Sequence, residues 1–251
     1  MRYFLRLSYL GARFCGWQKQ PNGVSIQETL ETALSTILRE PVTVTGCGRT
    51  DAGVHATYYI AHFDAHQAFP SGFLRGLNSL LPADIAVQSC LPVDAAAHAR
   101  YDAFLRSYIY TITRSKDPFL TQTTWFYPQA ERLDLKKMEQ VANVLPRYTN
   151  FYTFCKTDSG LDHFDCLVRE AKWEQDGHLL RFHISANRFL RGMVRLIVGA
   201  SVQAGLGKVA IPEIEAALVQ RQPLQLSLSV PPEGLALSAV HYPYPVEPPG
   251  Y

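Results

Sequence analysis

One eleven-residue stretch, Gly46 to Ala56, constrains this chain more than any other feature. It reads GCGRTDAGVHA and places an arginine, an aspartate and a histidine among three glycines. Apolar and polar residues alternate from Val42 to Thr45 and again from Thr57 to Phe63, which predicts two strands joined by a loop. Because glycine permits backbone angles that other residues avoid and lets another molecule approach the main chain, we expect the loop to offer Asp51 to a partner.

Asp51 has two interpretations. Asp-Ala-Gly is common in turns, and a purely structural turn would explain it. Arg49, however, lies two residues earlier, and two opposite charges in a glycine-rich loop between apolar strands exceed what a turn requires. This pair of charges favours a functional aspartate.

Composition limits the class of protein without naming a partner. With 251 residues, 47% hydrophobic and 18% charged, the chain is expected to be soluble and globular. A net charge of +2 is too small to indicate a nucleic-acid partner. Five cysteines without C-x-x-C spacing argue against a disulfide framework or a zinc site and favour a reducing cytoplasm. We therefore expect neither a signal peptide nor a membrane-spanning helix.

The first half is predicted to run strand, helix, strand, strand, helix, strand. Its predicted strands are residues 3–9, 42–45, 57–63 and 85–91. The first helix begins at a capping box from Ser25 to Glu28, and Pro41 is expected to end it. The second helix opens near Pro70 and Ser71. This order is that of a split βαβ, ferredoxin-like unit, which RNA-recognition modules share.

The second half repeats this order with additions, after a connector from Pro92 to Tyr101. Its predicted strands are residues 104–113, 124–127, 166–174, 178–185 and 235–242, and its predicted helices are residues 134–145, 187–204 and 212–220. Asp176-Gly177 signals a hairpin, and Gly205 is expected to end the middle helix in a left-handed conformation. We therefore predict an α+β protein with two ferredoxin-like halves, residues 1–102 and 103–251. We also expect antiparallel sheets with helices packed on one side, and an active-site cleft between the two halves.

The helix predicted over residues 187–204 carries a row of arginines on a face separate from its apolar stripe. These are Arg188, Arg191 and Arg195. A solvated helix face is the simpler explanation of such a row. Arg195, however, lies well inside the helix between Val194 and Leu196, where a purely solvated residue is less expected.

Two tyrosines, Tyr108 and Tyr110, share one face of the strand predicted over residues 104–113. Half-buried packing is the usual role of tyrosines at this spacing. The strand pattern alone does not distinguish packing from a functional role for these two tyrosines.

Three segments together resemble the motifs of the TruA family of tRNA pseudouridine synthases. The loop GCGRTDAGVHA matches the first motif position for position, Arg106-Ser-Tyr108-Ile-Tyr110 matches the second, and ANRFLRGMVRLIVG, from Ala186 to Gly199, matches the third. Shorter fragments extend the resemblance over essentially the whole chain. The chain departs from the family at Leu10, where the pattern Y-D-G-T is common, and at Asn150, where the family commonly has Asp-Phe.

This resemblance implies a role for each candidate site residue. Asp51 matches the catalytic nucleophile, Tyr108 the residue that stacks on the target uracil, and Arg195 the arginine that pairs with the aspartate. We expect Arg49 to occupy the space that the displaced uridine leaves, or to bind phosphates. The resemblance also implies a homodimer that acts on the anticodon stem-loop of tRNAs, at nucleotides 38 to 40.

Pseudouridylation moves uracil from a bond at its N1 to a bond at its C5 and changes no oxidation state, so we expect neither a cofactor nor a metal. An ionised carboxylate can act as the nucleophile, and a facing arginine keeps it charged in a dry pocket. The target uridine must be turned out of its helix, and stacking on Tyr108 would offset part of that cost.

Two other functions compete with this one. A non-catalytic RNA-binding protein would use two RNA-recognition-like halves, with Asp51 only shaping a loop. A glycosidase breaks the same kind of bond but normally needs two carboxylates a defined distance apart. The loop offers only Asp51, and Asp64 lies across a whole strand from it.

Overall fold

The computed structural model describes residues 1–156 and 163–246 and has a mixed α and β architecture, as predicted. Its contacts divide the chain into two compact units, Met1–Phe104 with Ala236–Tyr251 and Leu105–Leu235. The last strand, which the prediction places in the second half, belongs to the first unit from residue 236 onward. Residues 247–251 of the predicted second half lie outside the described part of the chain.

Nine strands and five α-helices follow one another along the described residues. They are β1 (Arg2–Tyr9), α1 (Ile26–Leu38), β2 (Thr45–Gly46), β3 (His55–Asp64), α2 (Phe73–Leu80), β4 (Ile85–Val93), β5 (Leu105–Thr113), β6 (Trp125–Phe126), α3 (Leu135–Val144), β7 (Val168–Asp176), β8 (Leu179–Ala186), α4 (Met193–Gly205), α5 (Ile211–Gln220) and β9 (Leu235–His241). Among the described residues, no helix has the length and apolar character needed to cross a membrane.

In the first unit, β1 lies between β4 and β3 and pairs antiparallel with both. Leu5 faces Cys90 on one side and Ala61 on the other. The opposite edge of β3 pairs antiparallel with β2 and, at His55 and Ala56, parallel with β9. The first unit therefore shows the order strand, helix, strand, strand, helix, strand that the split βαβ prediction requires.

The strand predicted over residues 42–45 is mostly absent, and side chains of α1 explain why. The N–H of Val42 donates to Ser35 Oγ at 2.9 Å, and the N–H of Val44 donates to Glu31 Oε1 at 3.0 Å. These backbone groups are therefore satisfied without a partner strand. Only β2, two residues long, remains in the sheet.

The first helix begins as predicted, because the N–H of Glu28 donates to Ser25 Oγ at 3.1 Å. It ends at Leu38, three residues before Pro41, and Arg39 adopts a left-handed conformation with φ 55° at this end.

In the second unit, β8 lies between β5 and β7 and pairs antiparallel with both, while β6 runs parallel to β5. Side chains of β8 alternate, with Leu180, Phe182 and Ile184 buried. The predicted hairpin between β7 and β8 turns at Gly177, whose φ is 57°.

The helix α4 is the centre of the second unit, since only Arg195 and Gln203 of its thirteen residues are not buried. α3 packs against it. A β-carbon on Gly205 would lie 3.0 Å from Met138 Cγ, so Gly205 allows close packing of these two helices. Its predicted left-handed conformation was wrong, and Gly207, with φ 71°, adopts that conformation instead.

The row of arginines on one helix face was also predicted wrongly. α4 begins at Met193, because Gly192 just before it has φ 71°, a left-handed conformation that an α-helix excludes. Arg188 and Arg191 therefore precede the helix, and Arg195 is its only arginine.

Candidate active site

The loop of the first unit, residues 47–54, is fastened at its backbone. The N–H of Cys47 donates to the carbonyl oxygen of Ile60 at 2.8 Å, and the carbonyl oxygen of Thr50 accepts from the N–H of Trp17 at 3.1 Å. The N–H of Val54 donates to the carbonyl oxygen of Asp51 at 3.1 Å, which closes a turn. The turn geometry expected at Asp51 is therefore present.

Two glycines outside the loop let another segment of the same unit press against it. A β-carbon on Gly16 would lie 2.4 Å from the carbonyl oxygen of Thr50, and one on Gly11 would lie 1.9 Å from that of Val54. Neither position tolerates a side chain. Gly53 within the loop has φ 78°, as a glycine readily does. We expected loop glycines to admit an external molecule, whereas the main chain is approached here by residues 11–17.

Buried aromatic side chains support the loop, and sequence reasoning gave them no role. Tyr9 and Thr50 share a hydrogen bond between their hydroxyl groups at 2.9 Å. Tyr59 donates its hydroxyl to the carbonyl oxygen of Gly48 and stacks on Trp17, with ring centroids 4.2 Å apart. The signal available in the sequence was the GWQ fragment at residues 16–18 and the alternation of apolar residues along β1 and β3.

His55, at the end of the loop, is 3% exposed and accepts a hydrogen bond at Nδ1 from the N–H of Gly11 at 2.9 Å. Its Nδ1 is therefore unprotonated, which places any ring proton on Nε2. This hydrogen bond joins the loop to residues 11–17, the segment that packs against the loop at Gly11 and Gly16.

Asp51 is half-buried, and no described residue of the first unit forms a hydrogen bond or ion pair with its carboxylate. The two charged residues of the loop do not pair with each other. Arg49 is exposed and donates from Nε to Gln18 Oε1 at 3.2 Å. A carboxylate on a rigid turn, with its oxygens not engaged within its own unit, is available to a substrate or to a positive group.

Tyr108 and Tyr110, which share a face of β5, differ in burial. Tyr110 is fully buried and donates its hydroxyl to the carbonyl oxygen of Pro231 at 2.8 Å. Burial raises the pKa of Tyr110, so its hydroxyl stays a donor. Tyr108 is half-buried, and its ring meets that of Phe189 edge-to-face at 5.1 Å. Packing alone therefore accounts for Tyr110, whereas Tyr108 is partly exposed and is not accounted for by packing alone.

Arg195 donates from Nε to the carbonyl oxygen of Val230 at 2.6 Å. No described residue of the second unit accepts a hydrogen bond from its two terminal Nη groups. A guanidinium held by one edge presents its remaining N–H groups as a planar fork, which suits a carboxylate. Asp51 belongs to the first unit and Arg195 to the second, and their pairing stays a prediction.

Arg106, the basic residue of the second motif, forms a structural contact. Arg106 donates from Nη1 to the carbonyl oxygen of Asn187 at 2.9 Å, which ties β5 to the segment before α4. In that segment Arg188 contacts His163, Nη1 to Nε2, at 2.8 Å.

At the second departure from the family pattern, Asn150 donates from Nδ2 to Asp165 Oδ1 at 3.1 Å and accepts at Oδ1 from the N–H of Tyr152 at 3.2 Å. An aspartate could accept from Tyr152 but could not donate to Asp165. Asparagine therefore suits this position in the present chain.

Comparison with known proteins agrees with the motifs. A family model described as tRNA pseudouridine synthase matches residues 7–102 and 149–243, ranges that contain Asp51 and Arg195. Relatives named tRNA pseudouridine synthase A include one from Parabacteroides distasonis, 42% identical, with 98% of this chain and 99% of the relative covered. Others come from Porphyromonas gingivalis, 42% identical with 96% and 97% covered, and Gloeobacter violaceus, 38% identical with 96% and 80% covered.

An α+β fold alone does not define a function, but similarity to these relatives extends over nearly the whole chain. The chain belongs to the tRNA pseudouridine synthase family. The resemblance found from the motifs is thereby confirmed.

Proposed function

We propose that this protein isomerises uridine to pseudouridine in the anticodon stem-loop of tRNAs, at nucleotides 38 to 40, with Asp51 as the nucleophile. The observation that carries the proposal is the Asp51 carboxylate on its fastened turn, without a partner in its own unit, in a chain of this family.

The reaction breaks the bond between C1′ of the ribose and N1 of the uracil and forms a bond between C1′ and C5. The hydrogen on C5 leaves as a proton, and N1 gains a proton, so atoms and electrons balance without a redox partner. Asp51 supplies a negative oxygen that attacks the nucleotide, and the bond it forms breaks again before pseudouridine is released, which restores the free carboxylate. Because the loop is braced by Thr50, Tyr59 and Trp17, little reorganisation of the carboxylate accompanies that attack.

Arg195 is the proposed partner of Asp51. Its fixed Nε and its unused Nη groups suit a two-point contact with a carboxylate. A nearby positive charge favours the ionised form of an acid when a bound substrate excludes water. Since arginine does not release its proton at working pH, it takes no part in the proton transfers.

We propose that Tyr108 and Arg49 stabilise the state in which the uridine is displaced from its helix. Turning a nucleotide out of its helix costs a few kcal/mol, and the half-buried Tyr108 carries an aromatic ring on which the uracil can stack. Arg49 is exposed and tethered only lightly through Gln18. Its guanidinium is free to enter the space that the uridine leaves or to bind flanking phosphates.

The proposal includes a homodimer in the cytoplasm, which the family resemblance implies. Five cysteines without paired spacing suit a reducing compartment. Sedimentation of the purified protein tests the oligomeric state separately from the activity.

Release of tritium from tRNA labelled at C5 of uridine tests the reaction, because the new carbon–carbon bond must eject that hydrogen. We expect the wild-type protein to release tritium in proportion to the pseudouridine formed. Asp51→Asn should release none above background. Asp176→Asn, a matched change in the hairpin between β7 and β8, should retain full activity.

The same assay separates the competing functions. Background release by the wild-type protein, together with tRNA binding, would support a non-catalytic RNA-binding protein. Free uracil in the reaction mixture would support a glycosidase. Asp51→Asn should bind tRNA about as tightly as the wild type, since the carboxylate supports no described contact of the first unit.

A further inference from the structure

We propose that residues 228–231 form a strap that positions the guanidinium of Arg195, and that Gly199 and Tyr110 are the residues that hold the strap in place. This inference rests on the role proposed above for Arg195. It adds positioning residues for that arginine which neither touch the substrate nor belong to the catalytic loop.

The strap and Arg195 are joined by two reciprocal hydrogen bonds. The N–H of Val230 donates to the carbonyl oxygen of Arg195 at 3.4 Å, and Arg195 Nε donates to the carbonyl oxygen of Val230 at 2.6 Å. Val230 is fully buried, so water does not compete for these groups. Because the Nε bond fixes the plane of the guanidinium, it also fixes the direction in which the Nη groups point.

Gly199 lies one turn beyond Arg195 on the same face of α4. A β-carbon there would lie 1.7 Å from the carbonyl oxygen of Leu228 and 3.1 Å from its Cβ. Since the obstacle is backbone rather than a flexible side chain, any residue larger than glycine must push the strap away from the helix. The close approach at Gly199 thus sets the distance between the strap and the part of α4 that carries Arg195.

Tyr110 anchors the other end. Its hydroxyl donates to the carbonyl oxygen of Pro231, and its ring lies against Gly234, where a β-carbon would be 2.6 Å from Tyr110 Cζ. Pro231 has no N–H, so its carbonyl group is the only backbone group that this end of the strap offers to a hydrogen-bond partner. Tyr110 lies two residues from Tyr108 on β5, and the strap therefore links the strand that carries the proposed stacking residue to Arg195.

The strap is tested with two variants that leave Arg195 in place. Gly199→Ala displaces the strap, and Tyr110→Phe removes a single oxygen while keeping the packing. Loss of a hydrogen bond to a charged group predicts a fall in kcat of about tenfold to a hundredfold for Gly199→Ala. We expect a smaller fall, about threefold to tenfold, for Tyr110→Phe, which loses a neutral hydrogen bond. The Kd for tRNA should stay within about twofold of the wild type, because the strap orients Arg195 rather than binding RNA.

A measurement independent of activity accompanies the kinetics. The Nε–H resonance of Arg195 in a ¹⁵N–¹H spectrum, assigned by its disappearance in Arg195→Lys, should be protected from exchange in the wild type. It should lose that protection in both strap variants. Gly205→Ala is the matched control, since it changes a glycine of the same helix that packs on Met138 instead of the strap, and it should preserve the resonance and the kcat of the folded fraction.

Full kcat in both strap variants, or a protected Nε–H resonance in Gly199→Ala, would overturn the proposal. Failure of the proposed function has a different signature, namely no tritium release by the wild type. In that case the resonance still decides whether the strap holds Arg195.

Discussion

The carbonyl oxygen of Thr50 lies 2.4 Å from the point where a β-carbon on Gly16 would stand. The N–H of Trp17, the next residue, donates to that same oxygen. The turn that carries Asp51 is therefore held by a segment more than thirty residues earlier in the chain, and the absence of a side chain at position 16 is what permits the contact.

Gly16→Ala is expected to displace the loop and lower kcat at least tenfold, with a clear loss of thermal stability. Gly16 has φ 86°, so alanine is strained there by about 1–2 kcal/mol even before the clash with Thr50 is counted. Gly72→Ala is the control, because Gly72 has φ 71° and no atom within 4 Å of the added carbon. It should lose stability through strain alone and keep the kcat of its folded fraction. Equal kcat in the two variants would contradict a braced loop.

Arg195→Lys is expected to lower kcat about a hundredfold although it keeps the positive charge. Lysine has no planar fork, so it cannot hold Val230 with one N–H and present the others in a fixed direction. Lost hydrogen bonds to a charged group are worth roughly 1.5–3 kcal/mol each. Single-turnover rates with labelled tRNA measure the effect, and Arg221→Lys at the end of α5 is a control. A variant with wild-type kcat would exclude the proposed role.

Arg49→Ala is expected to lower turnover much more than it weakens tRNA binding. Within the described residues, the Arg49 side chain forms one hydrogen bond, to Gln18 at the surface, so its removal should change the melting temperature little. Comparison of kcat with the Kd from filter binding checks this. Should Kd rise as much as kcat falls, Arg49 contributes to general RNA affinity instead of to the displaced state of the uridine.

Tyr108→Ala is expected to lower kcat/KM by about tenfold to a hundredfold, whereas Tyr108→Phe should stay within about threefold of the wild type. Stacking of a base on an aromatic ring is worth about 1–3 kcal/mol, and phenylalanine retains it. Phe189 packs against the ring edge-to-face in either case. Steady-state kinetics with an anticodon stem-loop RNA measure both variants. Equal losses for the two would assign the contribution to the hydroxyl group.

His62 provides a test of stability that is separate from catalysis. It is buried, and its Nδ1 accepts from the N–H of Ala99 at 3.1 Å. Burial, and to a smaller extent the positive charges of Arg2 and His98, lower the pKa of His62 to about 4, against the opposing effect of two carboxylates. These carboxylates belong to Asp64 and Asp102.

The free energy of unfolding is expected to fall by about 3 kcal/mol as the pH drops from 6.5 to 4. In this window the unfolded chain protonates His62 while the folded protein does not, so the unfolded state binds more protons and gains stability. The pKa of His98 is also lowered, and its effect has the same sign. Urea midpoints at pH 7, 5.5 and 4 measure the slope. His62→Asn, which keeps an acceptor for Ala99, should flatten it, and an unchanged slope would assign the dependence to other groups.

Features set by neighbours along the chain were predictable. The Ser25 cap of α1 and the hairpin at Gly177 depend on residues within a few positions of each other, and so does the turn at Asp51. Local preference for a backbone angle or a capping bond decides each of them. The order of strands and helices follows from the same local periodicity.

The errors lie where the backbone departs from what the local pattern of side chains indicates. Residues 42–44 alternate as a strand does, yet Ser35 and Glu31 of α1 take their N–H groups. The helical spacing from Asn187 continues through a glycine that the structure holds at φ 71°, and α4 starts only after it. Periodicity records which side chains are apolar, not which partner will satisfy the backbone.

The sequence by itself determined the family of this protein and the residues that carry its motifs, because those motifs are contiguous and need no knowledge of distant contacts. Only the tertiary structure decided how Asp51 and Arg195 are held. The Asp51 turn is clamped by Gly11 and Gly16, and Arg195 is bonded to a carbonyl group 35 residues away. Such contacts arise when folding brings backbone groups together and removes water from between them, and no pattern along a single stretch of chain encodes them.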